Sequence, residues 1–211
     1  MNAPGSKTRY LRIEGDSEDN DLKISLPEGT VRICRNSDRQ PCHITLHPNS
    51  SATYIPRRSC HTTFSEDLIL DFLDRSGFAW LCDNIARHED LDSAAGVVEK
   101  HLFSYVAPSD FVGKRLLDFG CGDGASTLAM ARLLPQTEVV GVELDPVRVD
   151  AANRVRAFRR AENATFLCSA SSRELPQGLG SFDFVMLSAV YEHLLPLERR
   201  TVMPLLWSAM K

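Results

Sequence analysis

The sequence predicts a doubly wound α/β fold, a parallel sheet covered on both faces, preceded by a small β-rich segment and a helical section. Three observations predict it. Beyond Lys114, apolar runs of strand length alternate with helical stretches through short connections, the pattern of a parallel sheet buried on both sides. A glycine-rich stretch, Gly120-Cys-Gly-Asp-Gly124, stands between the first of these strands and the first of these helices. Residues 1–60 instead alternate apolar and polar side chains, the period of strands with one wet face. The expected organisation is therefore a β-rich segment over 1–60, a helical cap or linker over 61–110, and an α/β core over 111–211 that is incomplete on its C-terminal side.

In the first segment, Tyr10–Glu14, Leu22–Leu26, Thr30–Cys34 and His43–Leu46 read as strands, and Pro27-Glu28-Gly29 turns the second into the third as a hairpin. The acidic run from Glu14 to Asp21 lacks the ligand spacing and closing Glu of a calcium loop, so it reads as a solvated connection. From Thr62 the period becomes helical. Thr63 and Glu66 form a potential capping box ahead of the stripe Leu68, Ile69, Phe72 and Leu73, which ends near Gly77. Further helices are expected over Phe78–His88 and Ser93–Tyr105, with Pro108 closing the section. This section either caps the mouth of the core or packs on its sheet edge.

In the core, Arg115–Phe119, Glu138–Glu143, Ala164–Cys168 and Phe182–Leu187 are the strands. Helices are expected over Ala125–Leu134 and Pro146–Ala161, with a short one near Ser172 and another after the fourth strand. Asp145 followed by Pro146 is a helix start with its cap and its first residue both specified.

Composition narrows the function classes. With 43% hydrophobic and 25% charged residues, the chain has the balance of a folded globular protein rather than a disordered one. Its net charge of −4 and the lack of a positive excess in either half speak against nucleic acid as a partner. No apolar run approaches the ~18 residues of a membrane span, and Met1–Lys7 carries no signal-peptide core, so a cytoplasmic protein is expected. The six cysteines then read as reduced thiols. Cys42-His43 and Cys60-His61 are the only metal-like pairs, and without a close Cys-x-x-Cys partner no metal site is expected.

The glycine stretch is the candidate ligand loop. Gly120 and Gly122 permit positive backbone torsions and close approach of a ligand, and Gly124 lets the helix pack tightly. Two cofactor classes compete for it. As Gly120-x-Gly122-x-x-Ala125 it satisfies the dinucleotide fingerprint, with Glu143 about 20 residues on. As Asp118-x-Gly120-x-Gly122-x-Gly124 it is similar to the first motif of the class I S-adenosylmethionine-dependent methyltransferases, which have a Rossmann-like fold. A carboxylate at Asp118 would repel a pyrophosphate but suits a ligand with an ammonium and a sulfonium, which favours the second class.

The resemblance extends over residues 90–211 and implies further roles. Val139-Val-Gly-Val-Glu143-Leu-Asp-Pro146 looks like the second strand of that family, which makes Glu143 the acceptor of both ribose hydroxyls and Leu144 the adenine contact. Where the family commonly has Gly-Asp-Ala, this chain has Ala170-Ser171-Ser172, so Ser171 would serve the adenine without charge. Phe182–Ser188 followed by Tyr191-Glu-His-Leu194 is similar to the family's fourth strand and the segment after it. The cofactor residues implied are Asp118, Gly120, Cys121, Gly122, Gly124, Glu143, Leu144, Ser171 and Ser188. His193 is the candidate catalytic base, with Tyr191 and Glu192 behind it; its other reading is a loop-orienting residue.

The implied activity is methyl transfer from S-adenosyl-L-methionine to a small-molecule, lipid or glycan acceptor. The alternatives are a cofactor-binding remnant without turnover and an NAD(P)-dependent oxidoreductase. Family members have seven strands, whereas this sequence stops after the helix that follows strand four. The fourth strand is thus expected to be an exposed edge through which the chain self-associates.

Overall fold

A computed structural model describes residues 12–16, 21–34 and 42–211. Tyr10 and Leu11 of the first expected strand, and residues 17–20 of the acidic run, lie outside the described residues. The chain forms two compact units, Met1–Asp90 and Leu91–Lys211. The helical section expected over 61–110 is divided between them.

The first unit holds a five-stranded antiparallel sheet in sequence order: β1 (Arg12–Asp16), β2 (Asp21–Leu26), β3 (Gly29–Cys34), β4 (Cys42–Pro48) and β5 (Ser59–Thr62). Leu26 pairs with Gly29, which places Pro27-Glu28 at the tip of the expected hairpin. Leu22, Ile24, Val31, Ile33, Ile44 and Leu46 are buried at alternate positions, so the period-2 reading of this segment has its cause in one covered face. Helix α1 (Glu66–Ser76) buries Leu68, Ile69, Phe72 and Leu73, the stripe read from the sequence. Helix α2 (Leu81–Glu89), entered through a 3-10 turn at Phe78–Trp80, packs on α1 and on β5.

Two local expectations fail here. The capping box does not form: Ser65 occupies the cap of α1 without a side-chain bond, and the Thr63 N–H donates to Glu89 Oε1 at 2.6 Å, as does the Thr62 hydroxyl at 2.5 Å. Strand β5 was absent from the sequence reading. Its register sets His61 opposite His43, ring edge to ring face at 4.5 Å, while Cys60 lies opposite Ile44 and faces the interior. The pleat thus separates each cysteine from its neighbouring histidine, and among the described residues no three His, Cys, Asp or Glu side chains are placed to hold a metal ion.

The second unit opens with α3 (Leu91–Leu102), which packs on α4 (Ala125–Leu133). Pro108 starts a 3-10 turn rather than closing a helix. Four parallel strands follow: β6 (Arg115–Phe119), β7 (Glu138–Glu143), β8 (Ala164–Cys168) and β9 (Phe184–Met186), ordered β8-β7-β6-β9. Leu116 to Phe119 are all buried, because helices cover both sides of the central strand. Helix α5 (Pro146–Arg159) begins as read, with Asp145 Oδ1 accepting from the Val147 N–H at 2.9 Å. Helix α6 (Pro196–Ser208) lays Val202 and Leu206 against Leu117, Phe119, Val140 and Val142 of the sheet. Around Ser172 the backbone turns without forming the expected helix.

Strand β9 is shorter than expected and is an edge of the sheet. Beside its start, the Phe182 N–H donates to Ala209 and the Lys211 N–H to Phe182, so the residues after α6 lie along the first step of that edge. Asp183 secures this corner, accepting from the Arg115 N–H at 3.0 Å and from Lys211 Nζ at 2.9 Å. Among the described residues no helix is long and apolar enough to cross a membrane.

Candidate active site at the carboxyl ends of the parallel strands

The strand order reverses direction of travel at β6, and a crevice opens where β6, β7 and β8 end. Its walls include Phe119 and Gly120 from β6 and the turn after it, Glu143 and Leu144 from the end of β7, and Ser169 and Ser172 after β8. Val190, His193 and Leu194, from the segment after β9, close the remaining side.

The turn after β6 is shaped by its glycines. Gly120 has φ +77°, and a Cβ there would stand 2.5 Å from Val190 Cγ2, so the glycine lets Val190 come down onto the loop. Gly124, at φ +87°, starts α4, and a Cβ there would meet the Phe166 ring at 2.7 Å and the Ala152 Cβ at 2.9 Å. The Gly120 N–H donates to Val142 O at 2.7 Å and the Gly124 N–H to Cys121 O at 3.0 Å, which fixes the loop against β7.

Glu143 joins the loop to the crevice. Its Oε2 accepts the Gly122 N–H at 2.9 Å, and its Oε1 accepts the Leu144 and Asp145 N–H groups at 2.8 and 3.2 Å. A carboxylate offers about four lone-pair sites. Three backbone donors therefore leave Oε2 with room for a further donor from the crevice.

Asp118 sits elsewhere. It is fully buried behind the loop and accepts from the Thr127 hydroxyl of α4 at 2.6 Å, and it is not part of the crevice wall. Burial pushes its pKa up to about 6, against the opposing pull of the Thr127 bond. Cys121 is also buried, with its sulfur against Gly141, and burial foremost raises its thiol pKa, so it fills space as a neutral group. Of the other residues singled out from the sequence, Gly120, Glu143, Leu144 and His193 line the crevice, whereas Gly122, Gly124, Ser171 and Ser188 do not. Gly122 acts through its bond to Glu143, and Ser171 Oγ accepts from the Arg173 N–H at 3.2 Å.

The sequence reading missed Ser169, Ser172, Ala189 and Val190. Ser172 Oγ donates to Glu198 Oε1 at 3.0 Å, and Glu198 Oε2 accepts the Leu195 N–H that opens α6 at 2.9 Å. Ala189 has φ +52°, a left-handed torsion that turns Val190 over Gly120. Arg199 was missed as well. Its Nε donates to Tyr191 O at 3.1 Å and its guanidinium lies 4.5 Å over the Tyr191 ring, so α6 holds the 3-10 turn Tyr191–His193 that carries His193 to the crevice.

A parallel sheet with a glycine turn after its central strand, and an acid at the end of the neighbouring strand bound to that turn, is common to both cofactor classes weighed from the sequence. The family model described as a methyltransferase domain matches residues 116–211. These residues form a methyltransferase domain. It is of the class I, S-adenosylmethionine-dependent kind, and its α/β sheet has the Rossmann-like arrangement expected.

Relatives of the methyltransferase domain are distant. The chain is 28% identical over 109 residues to a malonyl-[acyl-carrier protein] O-methyltransferase of Legionella pneumophila, an alignment covering 50% of this chain and 37% of that protein. It is 34% identical over 75 residues to a ribosomal RNA small subunit methyltransferase C of Stutzerimonas stutzeri, covering 36% of this chain and 21% of that protein. Among solved structures, the glycopeptide N-methyltransferase MtfA complexed with S-adenosyl-L-methionine aligns at 17% identity and a TM-score of 0.46, over 54% of this chain and 49% of that one. The chain thus spans less than two fifths of the length of the curated relatives it matches.

Proposed function

We propose that this chain binds S-adenosyl-L-methionine in the crevice beyond β6 and β7 and transfers its methyl group to a small-molecule, lipid or glycan acceptor. The observation that carries the reading is Glu143, which lines the crevice beside Leu144, is tied to the Gly122 N–H, and keeps an acceptor site open on Oε2. A dinucleotide would bring a pyrophosphate to a loop backed by Asp118 and flanked by Glu143, with two carboxylates near its negative charge.

The chain's own groups account for most of what the reaction needs. Glu143 accepts from a ribose hydroxyl at Oε2, Leu144 covers one face of the base, and Ser169 and Ser172 offer neutral hydroxyls on the β8 side. Phe119, Val142, Val190 and Leu194 make the rest of the wall apolar, which keeps water from the reacting centre. When bound, the cofactor supplies a methyl group on a sulfonium, already activated for in-line displacement. His193 then takes the proton of an acceptor hydroxyl at an imidazole nitrogen.

The O-methyltransferase name of the Legionella relative supports an oxygen acceptor, and the net charge of −4 supports one other than nucleic acid. A cytoplasmic location and self-association through the β9 edge complete the proposal; sedimentation at rising concentration tests the second. Methyl transfer is tested with radiolabelled cofactor on a panel of hydroxyl-bearing small molecules, lipids and glycans, using His193→Ala as the comparison. The variant is expected to keep cofactor affinity and to lose about 10²–10⁴-fold in turnover. Equal turnover by both proteins would remove His193 from the chemistry.

A further inference from the structure

One carboxylate at the start of α6 faces two ways. Glu198 stands in the first turn of that helix, and its Oε2 accepts the Leu195 N–H at 2.9 Å, as an acid at this position does when it satisfies a donor that opens a helix. Its Oε1 leaves the helix and accepts from the Ser172 hydroxyl at 3.0 Å, 26 positions upstream. Ser172 lines the crevice on the β8 side, while His193 and Leu194, immediately before Leu195, line it on the side after β9. The two oxygens of one side chain thus tie two walls of the crevice together.

We infer, on the methyl-donor reading of the crevice, that Glu198 is a positioning residue: it fixes Ser172 and the segment carrying His193 at one separation, and so sets the width of the space in which the donor lies. Apolar packing anchors both segments, since Leu175 and Leu194 rest on the cluster that includes Val202 and Leu206 of α6. Such packing has no preferred direction. The bonds to Glu198 supply one, and they are charge-assisted: the Leu195 N–H foremost, then the Ser172 hydroxyl, hold its carboxyl below the ordinary range, so it is an ionised acceptor at neutral pH. Arg199, the next residue of α6, holds the other end of the same segment by donating to Tyr191 O at 3.1 Å and Glu192 O at 3.4 Å.

A capping role alone and a positioning role predict different results. If Glu198 only capped α6, Glu198→Ala would lower the melting temperature and leave the cofactor affinity of the folded protein untouched. Because Glu198 acts on the crevice through Ser172, the same change should weaken binding of S-adenosylhomocysteine by roughly 3- to 10-fold, the scale of one hydrogen bond. Glu198→Gln should restore it. The carboxamide oxygen can accept the Leu195 N–H, and the amide NH₂ can donate to Ser172 Oγ, since a hydroxyl accepts as well as donates.

The test is a double-mutant cycle on the whole chain, titrating S-adenosylhomocysteine into the wild type, Glu198→Ala, Ser172→Ala and the double variant, with Glu198→Gln as the rescue. Both single changes remove the same bond, so the double variant is expected to bind no more weakly than the weaker single one, whereas independent losses multiply. Hydrogen exchange in the free protein gives a second readout that needs no cofactor: the amides of residues 170–174 should exchange faster in Glu198→Ala and return to the wild-type rate in Glu198→Gln. Wild-type affinity in folded Glu198→Ala, losses that multiply in the double variant, or unchanged exchange over 170–174 overturns the inference. The expected exchange difference in a chain whose wild type binds no S-adenosylhomocysteine would instead overturn the methyl-donor reading and leave Glu198 as the tie between the two walls.

Discussion

The Gly122 N–H donates to Glu143 Oε2 at 2.9 Å, a bond between the turn after the central strand and the tip of its neighbour. It makes one side chain responsible for the shape of the loop and for the ligand-facing wall. Glu143→Ala removes the carboxylate from both tasks. Loss of a hydrogen bond to a charged group is worth about 1.5–3 kcal/mol, so affinity for S-adenosylmethionine and for its demethylated product should fall by roughly 10- to 150-fold. Glu143→Gln, which keeps an acceptor oxygen but not the charge, should fall between the wild type and Glu143→Ala. Titration calorimetry on the three proteins checks the order.

Asp118 predicts a pH dependence of stability that runs opposite to that of most carboxylates. Its folded pKa of about 6 lies above the ordinary 3.8, so the native state holds this proton more tightly than the unfolded chain. Its contribution is fully present below about pH 4 and is lost as pH rises through about 6, by at most ~3 kcal/mol at ~1.4 kcal/mol per unit. Asp118→Asn keeps an oxygen to accept from Thr127 and has no charge to bury. Urea unfolding should show the variant gaining on the wild type between pH 4 and 7, and a constant gap across that range would contradict the assignment.

Asp183 titrates in the other sense. Its bond from Lys211 foremost, then that from the Arg115 N–H, holds its pKa near 2, below the ordinary 3.8. Its contribution is present above that ordinary value and is lost as pH falls through about 2. Asp183→Asn should therefore melt below the wild type at pH 7, with the difference closing toward pH 2 and shrinking in high salt. The residues after α6 should also exchange their amide hydrogens faster in the variant, because Lys211 loses its anchor.

Gly124 separates conformational from steric cost. Gly124→Ala places a Cβ at φ +87° against the Phe166 ring and Ala152, whereas Gly178→Ala, at φ +73°, enters open space. The second change should cost about 1–2 kcal/mol for the left-handed backbone alone. The first should add roughly 1–3 kcal/mol of overpacking. Equal unfolding free energies for the two variants would show that α4 shifts freely away from β8.

What was legible in the sequence was what local pattern specifies. The apolar run of β6, the glycine turn and the Asp145-Pro146 helix start depend on residues within a few positions of one another, and all appear where expected. Strand β5 escaped because it is four residues long and polar at Ser59 and His61, its outward positions. Thr63 was read as a cap because Glu66 follows it at the right spacing, but Glu89, distant in sequence, reaches the Thr63 N–H at 2.6 Å. Asp118 could be placed beside the loop from its spacing, yet its burial under Thr127 depends on how α4 docks. Val190 was unreadable for the same kind of reason, since its position over Gly120 depends on the left-handed torsion at Ala189.

The central claim is that the loop at Gly120–Gly124 serves a methyl donor. Its most direct measurement is calorimetric titration of the 211-residue chain with S-adenosylmethionine, S-adenosylhomocysteine, NAD and NADP side by side, repeated on folded Gly122→Val. A valine at φ +58° is strained and displaces the backbone that donates to Glu143. The account predicts saturable, one-to-one binding of both sulfur compounds to the wild type, none of the nicotinamide cofactors, and loss of binding in the variant. Saturable binding of NAD or NADP without binding of S-adenosylmethionine, or unchanged S-adenosylmethionine affinity in folded Gly122→Val, would contradict it.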